Sequence, residues 1–472
     1  IDEKGNLTDA AGEFARLNAH DTREAIVEKM RKKGLVERID ENYEHNLSVC
    51  YRCGTTVEPL VSRQWFIDVN HELRITNYEL QKTVGKERAS LKEVAIAVVK
   101  KGEIKIIPDR FNKTYFHWME NLRDWCISRQ IWFGHRIPVW YCQSSKFRVQ
   151  SSKLKNTIKK NNNETIEQCN NVVVGVEKPK ICAQCGGKKF VQDPDTLDTW
   201  FSSGLWTFST LGWPEKTADL KRFHPTTVME TGYDILFFWV ARMILMSAYA
   251  LGEVPFRTVY LHGLVRDKQG RKMSKSLGNG IDPSDMIKKF GADAVRLSLV
   301  IGTTPGNDIR LYEEKIAGYR NFVNKVWNIA RFVITSSKLK VKSSIPTSRD
   351  KVKNFTVADH WILYELSELI RRVNKNLENF RFSAAGEDIY EFMWHKLADI
   401  YIEETKREKL PHQQAILEYV LEKCLIMLHP FVPFVTESIW RINKNHKLLM
   451  VQPWVEKIDF KVSKIKALEY YD

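Results

Sequence analysis

Two lysines, Lys272 and Lys275, stand in a short polar loop with Met273, Ser274, Ser276 and Gly278 around them. Two flexible ammonium groups beside two hydroxyls suit a polyphosphate whose negative charge grows during a reaction. Such a pair alone also fits a solvated surface loop. Just upstream, Val259-Tyr260-Leu261 is β-branched and aromatic, reads as a buried strand, and runs into His262-Gly263. A second turn of this kind lies earlier: Thr226 to Met229 reads as a strand, Gly232 as its turn, and an apolar helix follows, ending near Gly252. Asp234 in that turn suits hydrogen bonds from ribose hydroxyls. Trp239, just over one helical turn further on, can face the same crevice, although a core tryptophan explains it as well. Ligands of open α/β sheets bind at the carboxyl ends of strands, where the Gly232 turn falls.

Eight cysteines offer a second chemistry. Cys50 and Cys53 form one Cys-x-x-Cys turn, and Cys182 and Cys185 form another. Two thiolates on a tight turn bind one side of a tetrahedral Zn²⁺, which needs two more ligands. For Cys50 and Cys53, His45 is nearby in sequence but reads better as a surface residue. For Cys182 and Cys185, the cysteines that stand apart from both turns are Cys126, Cys142, Cys169 and Cys424. A large chain without a secretion signal points to a reducing cytosol, so metal ligation outranks disulfides.

These groups need elements to hold them. At 472 residues the chain is too long for one core, and two or three domains are expected. A hydrophobic fraction of 43% fits a globular protein. No apolar run reads as membrane-spanning; the longest, Ile235 to Met246, is interrupted by Arg242. The net charge of +15 favours a polyanionic partner such as nucleic acid, while a lysine-rich genome would raise it too. The chain opens on Ile1, with no initiator Met and no signal peptide, and is expected to be a piece of something longer.

Taken in order, Asp21 is expected to cap a helix over Thr22 to Lys33, with Gly34 at its C′ position. Residues 143 to 180 are rich in Ser, Lys and Asn and read as a disordered or poorly packed surface loop. Asp282-Pro283 is an N-cap and first-turn pair for a helix to Phe290, stopped by Gly291, and a second helix covers Asp293 to Ile301. From about 313 the pattern is helical. Caps are expected at Asp359 and Ser383, with a third helix over Ala415 to Leu428, and the apolar stripes on these helices are core.

Lys272-Met273-Ser274-Lys275-Ser276, after a strand ending in His262-Gly263, resembles the second hallmark of class I aminoacyl-tRNA synthetases. Asp124-Trp125-Cys126-Ile127-Ser128-Arg129-Gln130, continuing through Trp132 and Gly134-His135-Arg136-Ile137-Pro138, resembles the valyl-tRNA synthetases within that class. So do Gly232-Tyr233-Asp234-Ile235 with Trp239, and Pro305-Gly306-Asn307-Asp308. His429-Pro430 through Trp440 resembles the end of the anticodon-binding bundle of the Ile, Leu, Val and Met enzymes. The resemblance runs from Ile1 to about Trp454. It departs from the family at position 145, where many relatives complete a Cys-x-x-Cys opened at the position of Cys142 and this chain has Ser; either Cys169 replaces the lost ligand or the site is degenerate. It also lacks the family's first hallmark, a His-Ile-Gly-His type tetrapeptide.

The resemblance implies a fold: an α/β, Rossmann-type second half of a catalytic domain, followed by an all-α anticodon-binding bundle. Its divisions would be 1–60, the end of an editing insertion with its zinc-knuckle stalk; 61–312, catalytic, with an insertion at 143–190; and 313–472, helical. It implies activation of valine by ATP with Mg²⁺ to valyl-adenylate, then transfer to tRNA(Val). Lys272 and Lys275 would be the catalytic residues, stabilising pyrophosphate as it leaves. ATP would meet Gly232, Asp234, His262, Gly263, Met273, Ser274 and Ser276 as well as both lysines. Valine would meet Trp200, Ile235 and Trp239. Structural Zn²⁺ would fall to Cys50, Cys53, Cys142, Cys182 and Cys185. A cytoplasmic monomer with no membrane attachment is expected, and the isolated chain is expected to be inactive in adenylate formation and in editing. The competing readings are an isoleucyl enzyme, a non-catalytic tRNA-binding protein derived from a synthetase, and a zinc-ribbon nucleic-acid module.

Overall fold

A three-stranded parallel sheet carries both turns singled out by the sequence. Strand Thr226–Gly232 pairs with Phe256–His262, which pairs on its other side with Lys105–Ile107. The computed structural model describes every residue except 3, 45, 51, 52, 58, 59, 148–165, 275, 276, 338–354, 408, 409, 445, 446, 459–461 and 472. It divides into two units: residues 1–67 with 125–198, and residues 68–124 with 199–472.

In the larger unit, parallel strands need a crossover, and the apolar helix supplies it. The segment begins as a 3₁₀ turn over Tyr233–Ile235, passes through a π-helical stretch Leu236–Ala241 and becomes an α-helix over Arg242–Ala250. Contrary to the sequence reading, Tyr233–Ala250 is long and apolar enough to cross a membrane, with a mean hydropathy of 1.3. Its apolarity has a local cause: Leu236, Val240, Met243, Ile244 and Leu245 are buried in the core.

The helix Pro283–Phe290 forms as expected, with the Asp282 carboxylate accepting from Ser284 N at 2.7 Å and Gly291 ending it at φ 90°. The next helix spans Ala292–Val300. Its buried Asp293 accepts from Phe434 N and Val435 N at 3.2 and 2.7 Å, satisfying first-turn donors of the helix Pro433–Lys444.

The helical bundle is built from Glu313–Ser337, Val357–Glu378, Phe382–Glu391, Pro411–Leu428 and Pro433–Lys444 around one large apolar core. Two expected caps move. Thr356, not Asp359, caps Val357–Glu378, and Asp359 completes the capping box from inside the helix. It can do so because its carboxylate, fully buried, also accepts from the Tyr401 hydroxyl at 2.7 Å and His412 Nε2 at 2.8 Å. Ser383 lies within the helix Phe382–Glu391, and its hydroxyl instead accepts from Gly302 N and Thr303 N.

In the smaller unit the first helix is Arg23–Lys32, preceded by Thr22 rather than capped by Asp21. Part of the 143–180 tract is ordered. Val172–Val174 and Phe190–Gln192 flank Val139–Cys142 in an antiparallel ribbon, since three β-branched valines favour a strand once a partner strand is there to pair with. The remainder of that tract, residues 148–165, lies outside the described residues.

One buried group in the bundle sets a pH dependence. His360 is 3% exposed, and neither ring nitrogen has a hydrogen-bond partner among the described residues. Burial holds its pKa below the ordinary histidine value, and Lys466 adds to the shift. Above the unfolded pKa of about 6.5 both states are neutral; below it the unfolded chain takes up a proton that the folded chain resists, so stability falls with pH until the folded pKa is reached. His360→Leu is therefore expected to stabilise the chain by about 1–3 kcal/mol. Urea titrations at pH 7.5 and 5.5 check this: the variant's midpoint should exceed the wild type's at both, by more at the lower pH.

Candidate active site

The carboxyl ends of the two longer strands bring Gly232 and His262 side by side, since these residues are paired in register. A Cβ on Gly232 would stand 2.7 Å from Asp234 Oδ1 and 3.5 Å from His262 Cε1, so the absence of a side chain leaves room for both. Asp234 is exposed beyond the turn. His262 Nδ1 lies 2.7 Å from the Gly263 carbonyl, and its Nε2 is 3.4 Å from Glu230 Oε1. Gly263 is pressed against the loop that precedes the strand Ile309–Arg310: a Cβ there would fall 1.9 Å from the Asn307 carbonyl oxygen. A cavity of about 430 Å³ opens beside these residues, lined by His262, Gly263, Tyr260, Val265, Thr304 and Phe382 among others. That size and mixed lining fit the adenosine part of a nucleotide.

The lysine loop leaves the same edge. Its base is a clasp: Asp267 accepts from Arg271 N, Arg271 Nε and Asn279 Nδ2, at 2.8, 2.8 and 2.9 Å. Asn279 in turn accepts from Ser274 N at 2.9 Å and donates to the Lys272 carbonyl at 3.3 Å. The Asn279 bond, with the Arg271 contacts, pulls the Asp267 carboxyl down to about 2, so the clasp stays ionised. Met273 packs against an apolar cluster containing Met286, Val295 and Leu311. The backbone around Lys272 is thus pinned while its side chain stays exposed. Lys275 and Ser276 lie outside the described residues.

Trp200 and Trp239 meet through the helix Thr199–Gly204. Trp239 Nε1 donates to the Ser203 carbonyl at 2.9 Å, and its ring meets Trp206 edge-on. Trp200 stacks on Phe238 at 6.0 Å, with the Arg242 guanidinium 5.9 Å from its ring. Ile235 is half-buried at the start of the π-helical stretch that carries Phe238 and Trp239. The π-helical turn, a form enriched at functional sites, was not read from the sequence; no residue type specifies it.

Four sulfurs gather in the ribbon of the smaller unit. The thiols of Cys142, Cys169, Cys182 and Cys185 all lie within 4.8 Å of one another. Cys142 and Cys185 are 3.6 Å apart, and Cys169 and Cys182 are 3.9 Å apart. Tetrahedral zinc at about 2.3 Å from each sulfur needs separations of about 3.8 Å, so this donor set fits the ion. Asn171 Nδ2 and Gly187 N point at Cys182 and Cys185, each at 3.4 Å, as outer donors to thiolates do. Cys169, four residues after the low-complexity tract's last undescribed position, stands where the sequence left the fourth ligand open. Cys53 donates to Thr55 Oγ1, and among the described residues no metal-binding group includes Cys50 or Cys53.

The sequence profile described as tRNA synthetases class I (I, L, M and V) matches residues 10–312, and that of the anticodon-binding domain of tRNA ligase matches residues 359–471. A valine--tRNA ligase of Clostridium tetani is 42% identical over 464 residues, covering 97% of this chain and 47% of that protein. One from Symbiobacterium thermophilum is 45% identical, covering 97% and 45%. The chain thus spans about half the length of the relatives it matches. Among solved structures, the ternary LeuRS-tRNA-LeuAMS complex of Agrobacterium radiobacter K84 aligns with a TM-score of 0.56 at 23% identity, covering 76% of this chain and 46% of that one. Mycobacterium tuberculosis methionyl-tRNA synthetase bound by methionyl-adenylate aligns at 0.54 and 19%, covering 83% and 65%.

Proposed function

The chain belongs to the class I tRNA synthetases of the I, L, M and V group, and on that premise we propose that it forms part of a valine--tRNA ligase. In this reading it carries the second part of the catalytic domain and the anticodon-binding bundle. Valine's carboxylate attacks the α-phosphorus of ATP, pyrophosphate leaves, and the valyl group passes to the terminal ribose of tRNA(Val). The observation that carries the reading is the convergence of Gly232, Asp234, His262, Gly263 and the base of the lysine loop at one edge of a parallel sheet. The choice of valine draws on relatives 42% and 45% identical over nearly the whole chain.

Such a reaction needs positioning and charge stabilisation rather than a protein nucleophile. Asp234 accepts from the ribose hydroxyls. His262 and Gly263 bound the adenosine cavity, where only glycine leaves the approach open. Lys272 and Lys275 meet the charge that grows on the leaving pyrophosphate, and Mg²⁺ accompanies ATP. Trp200, Ile235 and Trp239 border the valine side chain. Cys142, Cys169, Cys182 and Cys185 hold a structural Zn²⁺, which cross-links the ribbon, and Cys50 with Cys53 supplies half of a second site. The enzyme works as a cytoplasmic monomer whose partner is tRNA, read through single-stranded bases and phosphates on the basic faces of the bundle.

The test is ATP–pyrophosphate exchange by the polypeptide as its gene encodes it, with valine, isoleucine, leucine and threonine offered separately. Exchange strongest with valine is expected. Exchange strongest with isoleucine would keep the class and overturn the amino acid. Tight tRNA binding without exchange would favour a non-catalytic tRNA-binding protein.

A further inference from the structure

The nucleotide reading uses three separate strings: Gly232-Tyr233-Asp234, His262-Gly263 and the loop that bears Lys272. One carboxylate that none of them contains bonds to Tyr233 of the first and to residues adjoining the other two. Asp308 Oδ1 accepts from Leu264 N, the residue after Gly263, at 2.8 Å. Asp308 Oδ2 accepts from Arg266 Nε. Arg266 also donates to the Gly270 carbonyl at 3.3 Å, and its backbone bridges to Lys272 across the neck of the lysine loop. Tyr233, between Gly232 and Asp234, brings its hydroxyl to Asp308 and Arg266, while its ring stacks on Phe111 at 5.6 Å.

The loop that carries Asp308 is itself held from behind. Arg110 donates to the Pro305 carbonyl at 3.1 Å and to Asn307 Oδ1 at 2.7 Å. Gly306 takes φ 74°, and a Cβ there would lie 2.5 Å from Phe111. Past it, Ile309–Arg310 pairs in parallel with Val265–Arg266, so the register of Asp308 against Leu264 is set by backbone as well as by side chain.

We propose that Asp308 is a positioning residue for the nucleotide: its carboxylate locks the turn after each of the two long strands, and the neck of the lysine loop, into one arrangement. The proposal rests on the nucleotide reading above. Chemistry makes the acid specific. Every neighbour is a donor, and an ionised carboxylate offers only acceptors. Burial pushes the Asp308 carboxyl up, but the Leu264 N–H, Arg266 and Tyr233 outweigh it and hold the group below the usual carboxylate range. An asparagine of the same shape would turn one acceptor into an NH₂ group facing N–H donors.

The test compares Asp308→Asn, Asp308→Glu and Tyr233→Phe with wild type in the polypeptide as its gene encodes it. Exchange kinetics would be measured with ATP and amino acid varied in turn, ATP binding by calorimetry, and thermal midpoints by circular dichroism. Loss of a charge-assisted hydrogen bond is expected to raise the ATP KM and Kd of Asp308→Asn by roughly tenfold or more. The amino-acid KM and the thermal midpoint should stay near the wild-type values. Tyr233→Phe should shift the ATP terms in the same direction by less, and Asp308→Glu should recover part of the loss. Equal weakening of ATP and amino acid with a lowered midpoint would overturn the proposal, leaving Asp308 a structural residue. Unchanged ATP terms would overturn it too. If wild type exchanges with no amino acid yet binds ATP, the ligase reading fails while the calorimetric comparison still decides the role of Asp308. A wild type that binds no ATP overturns both.

Discussion

Replacing Lys272 with alanine is expected to lower ATP–pyrophosphate exchange by about 10²–10³-fold, the usual cost of removing one preorganised group that meets transition-state charge. The geometry explains why the loss should fall on the chemical step. The Lys272 carbonyl is held by Asn279, and its backbone bridges to Arg266, while the side chain stands exposed and forms no ion pair among the described residues. Its ammonium is thus anchored at the root and able to follow a phosphate whose charge increases. Interactions that strengthen only in the transition state raise kcat, so kcat should drop more than the ATP KM rises. Lys272→Arg keeps the charge on a stiffer, forked group and should retain part of the rate. Rates within twofold of wild type for Lys272→Ala would remove this loop from the mechanism. The same substitution at Lys275 is expected to act alike.

How far the sequence could be read depended on the range of the interaction. Asp282, Pro283 and Gly291 act within one helix, and their helix starts and stops where their types say. Asp359 is the intermediate case. As a helix-start signal it is right to within three residues, but a capping box can be entered from either end, and only the distant Tyr401 and His412 explain a buried acid. Ser383 misleads because its hydroxyl accepts from backbone amides about 80 residues away and donates to Glu387 one turn on, instead of accepting from the first-turn amides of its own helix. Local composition also misjudged the end of the insertion, where the pairing of Val172–Val174 with Val139–Cys142 overrides the polar residues around it.

The candidate site divides in the same way. Gly263 and Gly232 were legible as turn residues, but that Gly263 must be glycine follows from Asn307, which is remote in sequence. Asn279 carries no signal of its own, and Asp308 stands out only as the end of a string that resembles the family, with no role attached to it. They are ordinary polar residues until folding sets Asn279 against Asp267 and Asp308 against Arg266.

Cys169→Ser is expected to abolish zinc binding in the ribbon. With all four thiols present, the polypeptide should carry metal at this site in a one-to-one ratio. Removing one thiolate leaves a tripod with an oxygen donor at best, and apparent structural-zinc affinities of about 10–16 kcal/mol come from a complete ligand set. Cys142→Ser, Cys182→Ser and Cys185→Ser should behave identically, since all four sulfurs share one centre. Ser145→Cys should add nothing, because in the proposed site Cys169 supplies the fourth thiolate. The damage should be local: Trp140 packs against the sulfur cluster and donates to the Gly175 carbonyl at 2.9 Å, so its fluorescence reports the ribbon. Far-ultraviolet dichroism is dominated by the bundle, whose large apolar core contains no ribbon residue, and should barely change. Chelation of the wild type should reproduce the mutant spectrum and reverse on adding zinc. Acid should do the same, as protons compete with the metal for the thiolates. If metal analysis finds full zinc in Cys169→Ser, the fourth ligand lies elsewhere. If it finds none in the wild type, the gathering of sulfurs is packing alone, with Cys142, Cys169 and Cys182 acting as small buried hydrophobes against Phe190.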